Sequence, residues 1–406
     1  MTVLQESNAA AHVAKTEDAA ATALEVSIVM PCLNEADTLA ACIQTAQHAL
    51  RDAGIAGEVI VADNGSTDGS PEIARALGAR LIHVEARGYG SALMGGIAAA
   101  HGRYVIMGDA DQSYDFSETP KFVERLRRGY ALVQGCRLPS GGGTVLPNAM
   151  PPLHRWFGNP FLSFIARRWF NTPVHDIYCG MRGFSVDMYR RLEMRCTGME
   201  FATEMILKAS LHHERIDDVP ITLHPDGRKA HPPHLRTFRD GWRTLRLFLL
   251  FCPRWLFLIP GIALVLVGTA GYAIALPGLT IGGVTFDVHT LLFASLSLLV
   301  GQQAIAFALF TKSFAIGEGL LPMDPRTTRF FKIATLERGL LLGGAAIVVG
   351  LALLAMTAIE WWRTGLGSLD YARTMRWAIP GATLTALGVQ TALASFFTSV
   401  LGLRRG

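Results

Sequence analysis

The sequence predicts an α/β domain, followed by an amphipathic helix and a four-helix transmembrane region. Short β-rich runs alternate with helical segments between residues 26 and 136, as in a largely parallel sheet with helices on both faces. A stretch rich in arginine and apolar residues comes next. Four long runs without any charged residue then occupy most of the C-terminal part, and each is long enough to cross a bilayer.

Residues 1–24 are predicted to be a disordered tail. They are rich in alanine, contain acidic and basic residues, and lack the apolar core of a signal peptide. The α/β domain is therefore expected to cover residues 25–234. The six cysteines of the chain show no metal-ligand spacing and are expected to be reduced packing residues.

The strands and helices of this domain follow one another at regular length. The predicted strands are VSIVMP, EVIVADN, ARLIHVE, RYVIM and ALVQGC, and the predicted helices lie in ADTLAACIQTAQHAL, SPEIARAL, SALMGGIAAA and TPKFVERLRR. Ligands of such sheets bind beyond the carboxyl ends of the strands. Three loops at that edge, PCLNEAD, DNGSTDGS and GDADQSY, all contain acidic residues, so we expect the functional site there.

Asp109 and Asp111 follow a predicted buried strand, one residue apart. Two carboxylates at that distance repel one another unless a cation or a proton lies between them. Beside a predicted binding edge, such a pair is a natural way to hold Mg²⁺ or Mn²⁺ against a diphosphate. A single pair of this kind also occurs by chance, so the pair alone does not establish a metal site.

Asp63, Asn34 and Glu35 each have two interpretations. Asp63 could accept hydrogen bonds from a nucleotide base or ribose, but DNGSTDGS is also a good turn and helix-cap sequence. PCLNE, in which Asn34 and Glu35 open a helix, is equally ambiguous. The residues alone leave both interpretations open.

Residues 235–254 are predicted to form an amphipathic helix at a membrane surface. The apolar stripe is Leu235, Phe238, Trp242, Leu245 and Leu249, and the basic stripe is Arg236, Arg239, Arg243 and Arg246. Directly before a membrane span, this pattern favours a helix lying on an anionic lipid surface. Nucleic-acid binding is the less favoured alternative, because the adjoining spans make the membrane the nearer anion.

Residues 255–406 are predicted to form the transmembrane domain. Its four spans are expected at about 255–277, 290–311, 339–359 and 377–403. The connection after the first span has no lysine or arginine, whereas the next has Lys312, Arg326, Arg329, Lys332 and Arg338. Because basic residues favour the cytoplasmic side, both termini and the α/β domain are predicted to face the cytoplasm. The basic residues of the third connection, Arg363, Arg373 and Arg376, fit this orientation less well.

The chain resembles the family 2 glycosyltransferases of GT-A (Rossmann-like) fold in an ordered set of four motifs. These motifs are IVMPCLNE, VIVADNGSTDGS, RGYGSALMGG and GDAD. More narrowly, it is similar to the polyprenyl-phosphate and dolichol-phosphate sugar transferases, over about residues 26–250. The resemblance implies a nucleotide-sugar donor and a divalent cation, Mg²⁺ or Mn²⁺, at Asp109 and Asp111. It also implies nucleotide contacts from Pro31, Leu33, Asn34, Glu35, Asp63 and Arg87, the last of them near the diphosphate.

Two downstream segments resemble the acceptor side of the same family. VQGCRL matches a strand ending in an arginine, Arg137, and HDIYCGMRGFS matches an acceptor segment with Asp176 and Arg182. The two arginines, with planar two-pronged donors, would hold two anions close together. Asp176 would position the acceptor or act as a modest base, although it is also explained as the cap of a turn.

Three features near this segment leave alternatives open. GMEFATEMILKA corresponds to the family's acidic helix, but Glu204 is also explained by an i, i+4 pair with Lys208 on a solvated face. Family members often have an amide two residues after the second Asp of the metal pair, whereas this chain has Ser113 there and Gln112 one place earlier, which puts the third metal ligand in doubt. The Gly- and Pro-rich loop LPSGGGTVLPNAMPPLHRWFG is expected to be a mobile cover.

The predicted function is inverting transfer of a hexose from a nucleotide sugar to polyprenyl phosphate at a cytoplasmic (inner) membrane. The resemblance of DADQSYDF to glucose-type members favours UDP-glucose or a related donor. The expected partners are the donor, the acceptor lipid and the bilayer, with an oligomer possible. One alternative is a processive polysaccharide synthase, although CPRWLF has Phe251 where that class has glutamine. The other is a non-catalytic membrane protein that binds a nucleotide sugar.

Overall fold

The computed structural model describes residues 24–228, 237–319 and 335–403, together with Leu321, Pro322 and Arg329. The predicted tail up to residue 23, Leu235 and Arg236 of the predicted amphipathic helix, and Arg326 and Lys332 of the second connection lie outside these residues. The chain divides into two compact units, Met1–Phe248 and Leu249–Gly406.

The first unit is built on a mixed seven-stranded sheet with the order β3-β2-β1-β4-β7-β5-β8. The strands are β1 (Val26–Cys32), β2 (Gly57–Asp63), β3 (Arg80–His83), β4 (Tyr104–Met107), β5 (Leu132–Cys136), β7 (Arg182–Ser185) and β8 (Ile216–Pro220). Only β7 runs antiparallel to its neighbours, β4 and β5. The predicted α/β fold is confirmed, and the five predicted strands are β1 to β5. The antiparallel β7 begins inside the segment that the sequence assigned to the acceptor.

Seven helices accompany this sheet in the described residues before residue 229. They are α1 (Leu39–Asp52), α2 (Ser70–Ala76), α3 (Tyr89–Ala98), α4 (Thr119–Arg127), α5 (Asn159–Phe170), α6 (Val186–Leu192) and α7 (Phe201–Leu211). Strand β1 lies between them, with Val26, Ile28 and Met30 fully buried, as expected for a strand covered on both faces. This burial explains why β1 reads as a nearly continuous apolar run.

The Gly- and Pro-rich loop contains regular structure. Its residues Thr144–Val145 form β6, which pairs in parallel with β9 (Thr222–Leu223). A Cβ atom at Gly143 would lie 2.1 Å from the carbonyl oxygen of Cys136, so only glycine fits at this point. The later part forms a π-helical turn, His154–Gly158, that continues into α5.

Glu204 of α7 forms the expected pair with Lys208, with Oε1 and Nζ 2.8 Å apart. Both side chains are buried, however, so the interpretation as a solvated face is wrong. The carboxylate also accepts a hydrogen bond from the Cys196 backbone N–H at 2.8 Å, and the Lys208 ammonium donates to the Glu193 carbonyl at 2.7 Å. The pair therefore anchors the loop before α7.

A helix, α8 (Thr237–Phe251), covers most of the predicted amphipathic segment. In the second unit, the four long helices are α9 (Ile259–Ala275), α10 (Val288–Gly317), α11 (Leu336–Arg363) and α12 (Tyr371–Leu403). A helical turn, Arg254–Leu258, leads into α9. With that turn counted as part of α9, all four are long and apolar enough to cross a membrane, which confirms the predicted four-helix region.

Close backbone contact joins the transmembrane helices in pairs. A Cβ atom at Gly343 of α11 would lie 2.7 Å from the Gly388 carbonyl oxygen of α12. Small residues at such crossings let helix backbones approach in a bilayer.

Before α10, a hairpin of β10 (Thr280–Ile281) and β11 (Val284–Thr285) ends near Asp287. The Asp287 carboxylate accepts a hydrogen bond from Arg376 at 3.0 Å. One basic residue of the third connection, Arg376, therefore has an acidic partner.

Candidate active site

The acidic pair lies in the loop directly after β4. Asp109 is partly buried, and its Oδ1 accepts a hydrogen bond of 2.9 Å from the Tyr89 hydroxyl. Burial and the neighbouring charge of Asp111 raise the pKa of Asp109 to about 7, although Tyr89 and Arg228 act in the opposite direction. Because an isolated carboxylate is unfavourable here, the site favours either a proton or an additional cation at Asp109.

Asp111 is held by its own loop. Its Oδ1 accepts hydrogen bonds from the Ser113 backbone N–H at 3.0 Å and from the Ser113 hydroxyl at 2.5 Å. Gln112 between them has a left-handed φ of 62°, and a Cβ atom at Gly227 would lie 2.3 Å from its Oε1. Ser113 therefore orients Asp111, and the side chain of Gln112 packs against the backbone of Gly227.

Arg228 joins three carboxylates that are distant in sequence. Its Nη1 donates to Glu35 at 3.1 Å, its Nη2 donates to Asp111 at 3.1 Å, and its Nε donates to Asp226 at 2.9 Å. Burial lowers the pKa of Arg228, but the three acidic partners outweigh burial and raise it. Glu35 is thereby fixed beside the metal pair. Arg228 was not among the site residues that the sequence predicted.

The residues around the acidic pair fit a hard divalent cation that shares its ligands with a phosphate group. Within the described ranges, no group of three or more His, Cys, Asp or Glu side chains could hold a metal alone. In the described residues, four carboxylates, from Glu35, Asp109, Asp111 and Asp226, lie around the guanidinium of Arg228. This concentration of carboxylates, with the raised pKa of Asp109, suits Mg²⁺ or Mn²⁺ whose remaining ligands are phosphate and water oxygens.

Hydrogen bonds join the first two loops of the sheet edge. Asn34 has a left-handed φ of 59°, its Oδ1 accepts from the Thr67 N–H at 2.8 Å, and its own N–H donates to the Ser66 hydroxyl at 2.9 Å. The backbone N–H of Glu35 donates to the Ser70 hydroxyl at 3.0 Å. The loops that contain the predicted nucleotide contacts therefore form one unit, with Leu33 exposed and Pro31 partly exposed at its surface.

Asp63 is almost fully buried at the end of β2 and forms the turn that its sequence suggests. Its carboxylate accepts from the Gly65 N–H at 3.2 Å and the Ser66 N–H at 3.1 Å, and it lies 3.2 Å from His83 Nδ1. Burial raises the pKa of Asp63, but these hydrogen bonds outweigh burial and lower it overall. Asp63 is therefore a charged group within the loop, with its oxygens already in hydrogen bonds.

Arg87 is exposed at the start of α3, where the second loop fixes the backbone on both sides of it. Asn64 donates to the Ala86 carbonyl and accepts from the Gly88 N–H, both at 2.8 Å. Within the part of the chain that the structure describes, the Arg87 guanidinium forms no ion pair. A basic side chain is thus held on a fixed backbone, near the Tyr89 that contacts Asp109.

Arg137 and Asp176 form a buried two-pronged ion pair. The Nε–Oδ2 distance is 2.7 Å and the Nη2–Oδ1 distance is 3.0 Å, and Asp176 also accepts from the Tyr178 backbone N–H at 3.2 Å. Burial lowers the pKa of Arg137, but Asp176 outweighs it and raises the pKa well above its usual value. Both oxygens of Asp176 are therefore engaged in hydrogen bonds.

Arg182 is fully buried on β7. Its guanidinium donates to the carbonyl oxygens of Cys179 and Ala202, and burial lowers its pKa. It therefore joins the backbone of the acceptor segment, at Cys179, to that of α7, at Ala202, with no surface open to a soluble anion.

Tyr114 links the acceptor segment to the acidic pair. Its hydroxyl accepts a hydrogen bond from the Gly180 N–H at 2.7 Å, and Arg137 Nη1 donates to the same oxygen at 3.4 Å. A Cβ atom at Gly180 would lie only 2.8 Å from Asp109 Oδ2. The structure thus brings Arg137, Asp176 and the two aspartates together through Tyr114, a residue that sequence reasoning missed although it lies in the quoted motif DQSYDF.

Comparisons with known proteins match both parts of the chain. Residues 27–193 match the model Glycosyl transferase family 2, and residues 309–402 match Glycosyltransferase family 2 C-terminal transmembrane region. Low-salt glycan biosynthesis hexosyltransferase Agl6 of Haloferax volcanii is 38% identical over 379 residues, covering 93% of this chain and 89% of that protein. Dolichyl-phosphate hexose transferase of the same organism is 33% identical over 185 residues, covering 45% of this chain and 76% of that protein.

Solved structures also resemble the chain. Glucosyl-3-phosphoglycerate synthase from Mycobacterium tuberculosis, in complex with Mn²⁺, UDP and glucosyl-3-phosphoglycerate, is 20% identical with a TM-score of 0.43. The match covers 57% of this chain and 80% of that one.

Proposed function

Because the chain belongs to glycosyltransferase family 2 and has a transmembrane C-terminal region, we propose that it transfers a hexose from a nucleotide sugar to polyprenyl phosphate. The chain is a membrane glycosyltransferase. The proposal adds the acceptor class and a donor of UDP-glucose type, and a relative named dolichyl-phosphate hexose transferase supports the former. The observation that carries it is the contact of the acceptor segment with the acidic pair through Tyr114 and Gly180.

The donor is proposed to lie along the loops after β1, β2 and β4. Pro31, Leu33, Asn34, Glu35 and Asp63 would form its nucleotide side, with Asn34 and Asp63 acting mainly by shaping the loops they join. Arg87 would contact the diphosphate, because it is the exposed cation on the fixed backbone before Tyr89. Asp109 and Asp111 would hold Mg²⁺ or Mn²⁺, which when bound supplies positive charge against the leaving diphosphate.

The acceptor needs positioning more than it needs a base. A phosphate monoester is largely deprotonated near neutral pH, so its oxygen can attack the anomeric carbon while the bond to the diphosphate breaks. Attack from the opposite face inverts the configuration and gives a β-linked product from an α-linked donor. The engagement of both Asp176 oxygens by Arg137 suits this chemistry. We assign Arg137 and Asp176 to placing the acceptor phosphate, and Arg182 to supporting the backbone around them.

The proposed membrane arrangement follows the basic residues of the connections. The domain limits 25–234, 235–254 and 255–406 are part of the proposal, with the amphipathic helix α8 on the anionic surface and the catalytic domain in the cytoplasm. A polyprenyl phosphate exposes its phosphate at that surface and buries its tail in lipid. The site would therefore meet the acceptor where its charged end emerges.

The test is transfer of radiolabelled sugar from a panel of UDP- and GDP-sugars to undecaprenyl phosphate by the purified full-length protein. The proposal predicts an alkali-stable, acid-labile labelled lipid from one donor, dependent on Mn²⁺ or Mg²⁺ and absent with Asp111→Asn. Water-soluble polymer would instead identify a processive synthase. Family membership sets aside the non-catalytic alternative, and transfer from none of the donors would contradict the proposed acceptor.

A further inference from the structure

A buried ion pair of α7 supports the first turn of α3 through the backbone of an intervening loop. The pair is Glu204–Lys208, and each of the two residues is only 1% exposed. The intervening segment, residues 193–197, is called the supporting loop. Because desolvating two charges is costly, a buried pair is weak evidence for a purely stabilising role. The contacts of the pair indicate a different role.

Both charges of the pair bind the backbone of the supporting loop. The Lys208 ammonium donates to the Glu193 carbonyl at 2.7 Å, where the Glu193 backbone has a left-handed φ of 45°. The Glu204 carboxylate accepts hydrogen bonds from the backbone N–H groups of Arg195 at 3.1 Å and Cys196 at 2.8 Å. The path of the supporting loop therefore depends on an intact pair.

The supporting loop also lies directly against the first turn of α3. Its Thr197 carbonyl accepts a hydrogen bond of 3.1 Å from the Ser91 N–H. The N–H groups of a first helical turn have no partner within the helix, so the loop satisfies one of them. A Cβ atom at Gly88 would overlap the Thr197 carbonyl oxygen. A Cβ atom at Gly90 would overlap the carbonyl oxygen of Cys196, so the two backbones are in contact at both glycines.

This turn of α3 includes or adjoins two residues of the proposed donor site. The Tyr89 hydroxyl donates to Asp109 Oδ1 at 2.9 Å, and Arg87 is exposed just before it. From the loop after β2, Asn64 accepts a hydrogen bond of 2.8 Å from the Gly88 N–H. The backbone between Arg87 and Tyr89 is therefore held from two sides, by Asn64 and by the supporting loop.

We propose that the Glu204–Lys208 pair is a positioning element of the donor site, which sets the placement of Arg87 and Tyr89 through the supporting loop. The inference rests on the proposed function, because it concerns the side chains assigned to the donor diphosphate and to the metal ligand Asp109. A displacement of about 1 Å can reduce the rate of an enzyme by about 100-fold. A pair that contacts the site only through backbone can therefore affect donor binding.

The first test is hydrogen–deuterium exchange of the full-length protein without metal or nucleotide. Glu204→Gln keeps the shape of the side chain but leaves Lys208 without its counter-charge. Exchange in the peptide that contains Ser91 should become at least about fivefold faster, because the contact with the supporting loop opens more often. The matched control is Glu214→Gln, which removes the same charge from an ion pair with the exposed Arg191 and should leave this peptide unchanged.

The second test changes the opposite side of the contact. Gly90→Ala keeps the buried pair and adds a methyl group against the Cys196 carbonyl, while alanine itself is favourable in a helix. Exchange in the supporting loop, at the Cys196 N–H bound to Glu204, should become about fivefold faster or more. This variant tests the contact even if Glu204→Gln does not fold.

The third test links the contact to the donor site through titration with UDP or GDP in the presence of Mn²⁺. Glu204→Gln and Gly90→Ala should each raise the Kd of the nucleotide by about fivefold or more, and the double variant should show less than the product of the two effects because both act on one contact. The KM for the donor should rise likewise, whereas the KM for undecaprenyl phosphate should change less than about twofold. A purely structural role would lower the amount of active protein without changing either constant.

The outcomes separate this inference from the proposed function. Unchanged Ser91 exchange in Glu204→Gln, or a normal nucleotide Kd despite faster exchange, would overturn the role of the pair and leave the proposed function intact. Failure of the unmodified protein to bind UDP or GDP with Mn²⁺ would contradict the proposed function and, with it, the role assigned to the pair.

Discussion

Replacing Asp109 by asparagine should stabilise the metal-free protein while abolishing transfer. The pKa of Asp109 is raised from 3.8 to about 7, so the folded state favours the protonated carboxyl. The energetic cost of the charge is absent below pH 4, grows between pH 4 and 7, and is constant above that. A shift of about three pKa units corresponds to about 4 kcal/mol. Since Asp109 is only partly buried and interacts with Asp111, we expect about 2–4 kcal/mol at pH 8.

Asparagine is nearly isosteric and keeps an oxygen that can accept the hydrogen bond from Tyr89. Removing the charge should therefore relieve the cost without leaving a cavity. For a domain of this size, the gain corresponds to a rise in Tm of about 5–10 °C. Thermal unfolding in detergent with EDTA at pH 8 measures it, and the gain should fall to less than half at pH 5.

The neighbouring Asp111 supplies a matched control with the opposite sign. Its carboxylate is paired with Arg228 and accepts two hydrogen bonds from Ser113. Asp111→Asn should therefore lower stability by about 1–3 kcal/mol, although it also abolishes transfer. An Asp109→Asn protein that is less stable than the unmodified one at pH 8, or that gains equally at pH 5 and pH 8, would refute the reasoning.

Three further changes test other contacts of the site. Gly180→Ala should lower kcat at least about tenfold, because its methyl group would displace the Asp109 carboxylate, 2.8 Å away; a normal kcat would contradict the contact. Asp176→Asn should lower the free energy of unfolding by about 3–5 kcal/mol, since it leaves the buried Arg137 without a counter-charge, and denaturation of the purified protein checks this. Arg228→Gln should lower Tm, because Glu35 loses its ion pair with Arg228. Arg228→Lys should restore only part of the Tm, because one ammonium cannot join three carboxylates in the same geometry. Full rescue by lysine would argue against the geometry.

Local patterns in the sequence were sufficient to predict the general architecture. The alternation of apolar strands and amphipathic helices indicated the α/β domain, because each strand is buried by the helices beside it. The four charge-free runs indicated the spans, because a bilayer tolerates few charges. The loops that contain Glu35, Asp63 and Asp109 were expected at one edge for the simple reason that parallel strands end together.

Contacts between distant residues account for what the sequence did not reveal. Arg228 lies 193 positions from Glu35, and only the folded chain shows that they pair. The hydroxyls of Tyr89 and Tyr114 reach the site because α3 and the β4 loop meet there, which no local spacing indicates. Glu204 and Lys208 had the spacing of a solvated pair but are buried, since the loop before α7 covers them.

The most direct test of the central claim is the anomeric configuration and linkage of the purified product. ¹H and ³¹P NMR of the lipid formed from the accepted α-linked donor would report both. The account predicts one hexose joined through a phosphodiester to the polyprenyl chain, in the β configuration. An α-linked product, or a sugar attached anywhere other than to the lipid phosphate, would contradict inverting transfer to polyprenyl phosphate.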